Sequence, residues 1–150
     1  MDGESGAMLG GAVAFSYSGL TKTGGTQVIT TDTDTEFAFT TNSPAETGGD
    51  YFAAGTPTRT YIPTTGLYRV AAWIDWTDGL VAGVRYAYIL SNVIGVIAMV
   101  KEAAPIPVLR KSIVATRIFA VGDYLTLRFY HTAGADVTVK GLIGITKVAG

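Results

Sequence analysis

The chain has 150 residues, of which 48% are hydrophobic and 15% charged, and this composition is typical of one folded domain. Its net charge of −1 gives no electrostatic basis for binding nucleic acid or an anionic membrane. The sequence contains no cysteine, which excludes disulfides, thiol nucleophiles and thiolate metal sites. No apolar run reaches the ~20 residues of a membrane-spanning helix, so we expect no membrane insertion.

Charge is unevenly distributed along the chain. Residues 1–50 contain one lysine and seven acidic residues, a net charge of −6, whereas residues 51–150 carry +5. Two interpretations stay open: chance combined with pairing within the chain, or an acidic arm that docks on another subunit or shell. Residues 1–12 are glycine-rich and are predicted to form a flexible arm. They lack the basic start of a signal peptide, so we expect synthesis in a cytoplasm without export.

Residues 13–150 are predicted to form a single all-β domain, a ten-stranded sandwich or jelly roll with no substantial helix. Turn residues punctuate short alternating segments, with loops at 18–25, 42–50, 101–107 and 132–136. The predicted strands are 12–17, 26–41, 51–52, 58–62, 65–76, 81–90, 93–100, 112–120, 124–130 and 137–148.

The strand predicted at 65–76 has two largely apolar faces. One face carries Tyr68, Val70, Ala72, Ile74 and Trp76, and the other includes Leu67, Ala71 and Trp73. Strands 112–120 and 137–145 also carry apolar residues on both faces, whereas 124–130 has one mostly polar face. We therefore expect strands 65–76, 112–120 and 137–145 to share a sheet whose outer surface is covered. The simplest cover is another copy of the chain.

From Ala14 to Lys147 the order of motifs resembles the C1q/TNF-like jelly-roll family. The most specific motif, in Val121–Leu127, is similar to the family's x-G-D-x-V-x-L hairpin. A second motif, in Tyr61–Tyr68, is similar to its P-x-x-G-x-Y entry into a main strand. A third resembles its closing S-F-S-G-x-L strand, with Val139 in place of the usual Phe. The matching segments are Ala14-Phe15-Ser16, Tyr61–Tyr68, Asn92, Val121–Leu127 and Thr138–Ile143.

This resemblance implies a homotrimer packed around a threefold axis. The candidate interface residues are Leu67, Tyr68, Ala71, Trp73, Val114, Ile118, Val139 and Ile143. Which face of the 67–76 strand meets the axis stays open at this stage.

Residues suited to catalysis or cofactor binding are sparse, and we expect the protein not to be an enzyme and to have no cofactor. His131, the only histidine, has no recognisable nucleophile motif to serve, and we expect it to be a surface or interface residue. One face of a predicted strand carries the carboxylates of Asp32, Asp34 and Glu36, and such a cluster can bind Ca²⁺. The residues that follow do not match the EF-hand calcium-binding pattern. A solvated edge that discourages strand addition is the favoured interpretation.

Composition and resemblance together predict a virion structural protein of a bacteriophage. The first hypothesis is a trimeric capsid decoration or head-fibre protein on the virion surface, whose partner is the major capsid protein or another virion protein. Its arm would anchor through Asp2, Glu4, Met8 and Leu9.

Two other functions are considered. The first is the receptor-binding tip of a tail fibre or baseplate, recognising host surface glycans through loops Asn42–Asp50, Lys101–Arg110 and Thr132–Asp136. The second is a polysaccharide hydrolase, which requires a pair of carboxylates that the sequence does not offer convincingly.

Overall fold

The computed structural model describes residues 17–21, 26–39, 41–42, 57–77, 82–103 and 109–150, with backbone alone at 17–21, 41–42 and 109. These residues form eleven strands and no helix, and therefore include no helix that could cross a membrane. The strands are β1 (Tyr17–Thr21), β2 (Gln27–Ile29), β3 (Thr35–Glu36), β4 (Thr41–Asn42), β5 (Arg59–Tyr61), β6 (Gly66–Trp76), β7 (Val84–Ser91), β8 (Gly95–Ala103), β9 (Leu109–Phe119), β10 (Tyr124–His131) and β11 (Val137–Ala149).

The six-stranded sheet has the order β9-β6-β11-β1-β4, and β2 also pairs with β11. Its centre consists of the three long strands β9, β6 and β11. The ladder between β6 and β9 runs from Gly66 opposite Phe119 to Trp76 opposite Leu109. The three strands that the sequence marks as apolar on both faces therefore share one sheet, as predicted.

The five-stranded sheet has the order β3-β10-β7-β8, and β5 also pairs with β10. From β6 onward the chain crosses between the two sheets at every connection except that from β7 to β8, because β7, β8 and β10 belong to this sheet while β6, β9 and β11 belong to the other. The pairs are antiparallel in both sheets. The result is a sandwich with a single core.

The core lies between the sheets and is built by alternation. β6 directs Tyr68, Val70, Ala72, Ile74 and Trp76 inward, where all five are buried. Strand β10 faces them with Leu125, Leu127 and Phe129, which are also buried. The rings of Trp76 and Phe129 meet edge to face, 5.2 Å apart at 89°, a favoured aromatic geometry.

The turn at 121–123 was predicted to form a hairpin, but it has a different role. It joins β9 of one sheet to β10 of the other, so it is a crossover between sheets and not a hairpin. Gly122 has φ +89°, which glycine adopts without steric cost, and its N–H donates to the Ile62 carbonyl at 2.9 Å. Asp123 accepts from the Ala120 N–H at 2.9 Å, which closes the turn.

Two predicted loops are shorter than expected. Strand β1 occupies Tyr17–Thr21 where a loop was predicted, because β11 supplies a backbone ladder from Thr146 to Leu142. Likewise β8 extends to Ala103 and β9 begins at Leu109, so only part of the loop predicted at Lys101–Arg110 lies between strands. In both places backbone pairing overrides local turn-forming residues: β1 and β9 pair with distant strands, and the end of β8 pairs with the preceding strand β7.

Candidate functional site

The outward face of the six-stranded sheet carries an apolar strip, the assembly face, which we define as Leu67, Ala71, Trp73, Val114, Ile118 and Leu142. Trp73 is 48% exposed, Val114 47% and Ile118 72%, although all three are large apolar side chains. The strip is interrupted by the polar rung of Thr116, Arg69 and Thr146, which separates Leu67 and Ile118 from the cluster around Trp73. A cluster of exposed apolar side chains marks an interaction surface more often than a single one does.

The assembly face is built from rungs across β9, β6 and β11. Ser112, Trp73 and Leu142 lie side by side in one rung, and Val114, Ala71 and Gly144 in the next. Because Ala71 and Gly144 are small, a depression of about 330 Å³ opens beside the Trp73 ring. A smaller depression of about 210 Å³ lies on the other side of Trp73, towards Lys140 and Leu142. A protruding ring next to open volume suits the packing of a further side chain.

Charged groups border this strip at one end. Arg110 binds Asp75 across the β6–β9 ladder, with Nη2 3.0 Å from Oδ2. On the opposite side of β9, Lys111 lies 3.6 Å from Glu102 of the five-stranded sheet and links the two sheets at the edge of the sandwich. Within the strip, Arg69 lies among the residues around the larger depression. Mixed apolar and charged side chains of this kind are usual in protein interfaces.

Of the eight predicted interface residues, five lie on the assembly face: Leu67, Ala71, Trp73, Val114 and Ile118. The other three, Tyr68, Val139 and Ile143, have 0% exposure and belong to the core of the protomer. They cannot meet a second copy without unfolding the sandwich. The Tyr68 face of β6 points inward and the Trp73 face outward, so within β6 only the Trp73 face is open to a partner.

Leu142 is a member of the assembly face that the sequence analysis misses. It stands next to Trp73 on β11 and is partly exposed. The sequence signal that could have identified Leu142 is alternation: Lys140 and Leu142 alternate with Val139, Gly141 and Ile143.

The proposed anchoring residues Asp2, Glu4, Met8 and Leu9 lie outside the described residues, as does the rest of the arm. Two of the loops considered for glycan recognition, at 42–50 and 101–110, are described only in part. The third, Thr132–Asp136, lies largely exposed between β10 and β11.

His131 is fully buried, which corrects the expectation of a surface or interface position. Its Nδ1 accepts from the Ala133 N–H at 3.2 Å, so its Nε2 carries the proton and donates to the Ile29 carbonyl at 2.7 Å. The Trp76 ring lies 6.3 Å away, centroid to centroid. With both nitrogens engaged, this histidine holds β2 and the turn after β10 together.

The acidic triplet Asp32, Asp34 and Glu36 is held by side chains of the five-stranded sheet. Arg128 binds Asp34 through Nη1 at 2.9 Å and Glu36 through Nη2 at 2.7 Å. Tyr88 donates its hydroxyl to Asp34 at 2.5 Å. Among the described residues no three His, Cys, Asp or Glu side chains are grouped to hold a metal ion. Two of these carboxylates are thus engaged by an arginine.

Burial raises the pKa of Tyr88 to about 12, and the hydrogen bond and negative charge of Asp34 act in the same direction. The pKa of the neighbouring Tyr130 is also raised, by desolvation and by the charge of Asp32. Both phenols therefore stay protonated and able to donate near neutral pH.

Comparison of the whole chain with solved structures finds a shared fold. The globular domain of zebrafish complement 1qA protein superposes with a TM-score of 0.58 at 8% identity, over 87% of this chain and 94% of that one. Eiger TNF from S. frugiperda gives 0.59 at 15% identity, over 91% and 94%.

The fold is the C1q/TNF-like jelly roll. Murine APRIL, in a crystal structure at pH 5.0, matches it as well, with a TM-score of 0.58 at 13% identity over 90% of this chain and all of that one. No family model and no curated protein sequence matches the chain. At these identities the likeness establishes the C1q/TNF-like architecture, which agrees with the resemblance in the motifs.

Proposed function

We propose that the protein is a non-enzymatic structural component that assembles as a homotrimer through the assembly face. The observation that carries the proposal is the exposed apolar strip around Trp73 on a sheet whose other face is already committed to the core. Burying such side chains is favourable by about 25 cal/mol per Å² of apolar surface. A second copy of the chain is the partner that is always available at equal concentration.

Labelling of introduced cysteines tests this interface, because the natural chain has none. Val114→Cys places a thiol on the assembly face, and Val93→Cys is the matched control at a 67% exposed position in the turn after β7. We expect a maleimide to label the Val93→Cys protein rapidly and the Val114→Cys protein at least about tenfold more slowly. Equal labelling of the two native proteins would contradict a covered assembly face.

We further propose that this homotrimer is a capsid decoration or head-fibre protein on a bacteriophage virion. Support comes from the sequence: a cysteine-free chain, an acidic N-terminal third and a glycine-rich segment at residues 1–12 preceding the jelly roll. The arm would bind the major capsid protein or another virion protein, and the sandwich would project from the shell.

Removal of residues 1–12 tests the anchoring role separately from assembly. The shortened chain should keep the number of subunits of the full-length oligomer but no longer cosediment with capsids. Capsid binding at the full-length level would refute the anchor. The matched control is a chain in which the same segment is replaced by a glycine-serine sequence of equal length.

A further inference from the structure

The outward face of the five-stranded sheet contains an open groove of about 450 Å³ with three tyrosines. Strands β10, β7 and β8 form its floor, since Tyr130 pairs with Tyr86, Tyr88 with Met99, and Leu90 with Val96. We call it the tyrosine groove, and its lining residues are Asp34, Tyr86, Tyr88, Leu90, Val96, Met99 and Tyr130. It lies on the opposite sheet from the assembly face.

The tyrosine rings are held in place before any ligand arrives. Tyr86 and Tyr130 meet edge to face with centroids 5.8 Å apart. Tyr88 donates to Asp34 at 2.5 Å, and Tyr130 donates to Asp32 at 3.4 Å. Fixing such rings in advance reduces the entropy lost on binding, and tyrosine offers a flat apolar face with a polar edge.

Charges around the groove disfavour ionic ligands of either sign. An anion would meet the carboxylates of Asp32 and Asp34. A cation would meet Arg128, which is bound to Asp34 and Glu36, and also Lys101, whose ammonium already lies 5.4 Å from the centre of the Tyr86 ring. The cation–π position on this ring is therefore occupied. The class of ligand that these charges favour is a neutral molecule with an apolar face.

The size of the groove indicates a small ligand and not a protein surface. Its volume falls within the ~300–1,000 Å³ usual for small-molecule sites. Seven residues line it, whereas a stable protein interface uses about 20–30 residues on each side. The occupant should combine apolar C–H groups for the rings with hydroxyl groups for the carboxylate and phenol edges.

We propose that the tyrosine groove binds a neutral oligosaccharide. A pyranose ring has an apolar C–H face that packs on Tyr86 and Tyr88, and hydroxyl groups that hydrogen-bond to the edge formed by Asp34 and the phenol of Tyr130. This site differs from the loops on which the sequence places glycan recognition. It uses rigid strands, and it does not rest on trimer formation.

Binding of the full-length protein to immobilised neutral polysaccharides (cellulose, xylan, mannan, galactan and chitin) tests the proposal. The hexasaccharide of the polymer that binds is then titrated by calorimetry. Tyr86→Ala and Asp34→Asn should each weaken its binding at least about tenfold, the size expected for losing a central contact. Tyr124→Ala is the matched control, because Tyr124 lies on the same strand as Tyr130 but outside the groove. It should leave the affinity unchanged.

Three outcomes would overturn the proposal. One is that none of the five polymers binds; another is that binding is equally strong in the Tyr86→Ala, Asp34→Asn and wild-type proteins. The third is preference for a charged probe, heparin or acetylcholine, with an affinity that falls as salt is raised, since a neutral ligand is insensitive to screening. Circular dichroism confirms that each variant is folded. Failure of trimer assembly would not affect these results, because the groove lies within one protomer.

Discussion

Tyr68 and Trp73 lie five positions apart in β6, and their surroundings are opposite. Tyr68 has 0% exposure, donates to the Thr64 carbonyl at 2.7 Å and packs near Phe119, whereas Trp73 is 48% exposed. The sequence predicts correctly which side chains of this strand share a face. It could not predict which face is inside, because both sets are largely apolar and the choice depends on the opposing sheet.

His131 shows a second limit of sequence reasoning at the residue scale. A histidine at a strand end beside a loop ordinarily faces water, and nothing near it in the sequence reveals its partner. The Ile29 carbonyl that it binds lies 102 positions away and is brought close only by the sandwich. The same holds for the tyrosine groove, whose residues come from four separate segments.

Replacement of His131 by Phe keeps a planar ring but removes both hydrogen bonds. The Ile29 carbonyl and the Ala133 N–H would lose their partner in a buried site, which costs about 1–3 kcal/mol per group. We expect the free energy of unfolding, measured with urea, to fall by at least about 2 kcal/mol. Asp136→Ala, at an exposed position of the following turn, is the control and should change it little. An unchanged stability of His131→Phe would rule out this role for the histidine.

The pKa of Tyr88 predicts a change at high pH. Because its folded-state pKa of about 12 exceeds the ordinary 10.0, its contribution to stability is complete below pH 10.0 and is lost as pH rises towards 12. Asp34→Asn removes the hydrogen-bonding carboxylate, so we expect Tyr88 to ionise at lower pH. The tyrosinate absorbance of each protein, minus that of its Tyr88→Phe counterpart, measures this pKa. The same value with and without Asp34→Asn would show that the carboxylate has no effect.

At the scale of elements, the turn after β9 was located correctly in the sequence because Gly122 and Asp123 have local reasons to be there. Its connection between sheets was not predictable, since a turn sequence does not specify which strand its successor pairs with. Most of strand β1 was missed for the converse reason: Ser18 and Gly19 favour a turn, and the ladder partner of this strand, β11, is distant in the chain.

Gly122→Ala should destabilise the fold through backbone strain alone. An added Cβ at Gly122 meets no atom within 4 Å, but φ +89° is unfavourable for alanine by about 1–2 kcal/mol. Thermal and urea unfolding should both show this loss. Asn tolerates positive φ better, so the loss for Gly122→Asn should be about half or less. If Asn and Ala were equally destabilising, strain at this position would not be the cause.

At the scale of the whole molecule, one face of the six-stranded sheet completes the core and the other presents the assembly face. Two-sided apolar patterning in β6, β9 and β11 correctly predicted that these strands share one sheet. The residues of its outward face were less predictable, because Tyr68, Val139 and Ile143 are as apolar as the residues that point outward.

Two aspartate substitutions in β6 separate folding from assembly. Tyr68→Asp places a charge in the buried core and should prevent folding, as judged by loss of the near-ultraviolet circular dichroism signal. Trp73→Asp places the same charge on the outer face, so the protomer should keep its native spectrum. A native spectrum for Tyr68→Asp would contradict the assignment of the inner face.

The central claim, trimerisation through the assembly face, is tested most directly by light scattering on the purified protein and its Trp73→Asp variant, each coupled to size exclusion. The wild type should have three times the 15.7 kDa mass of the chain, and Trp73→Asp a folded species of one chain mass. Val93→Asp, on an exposed turn, should match the wild type. A wild-type species of 15.7 kDa, or a Trp73→Asp protein that remains trimeric, would contradict the account.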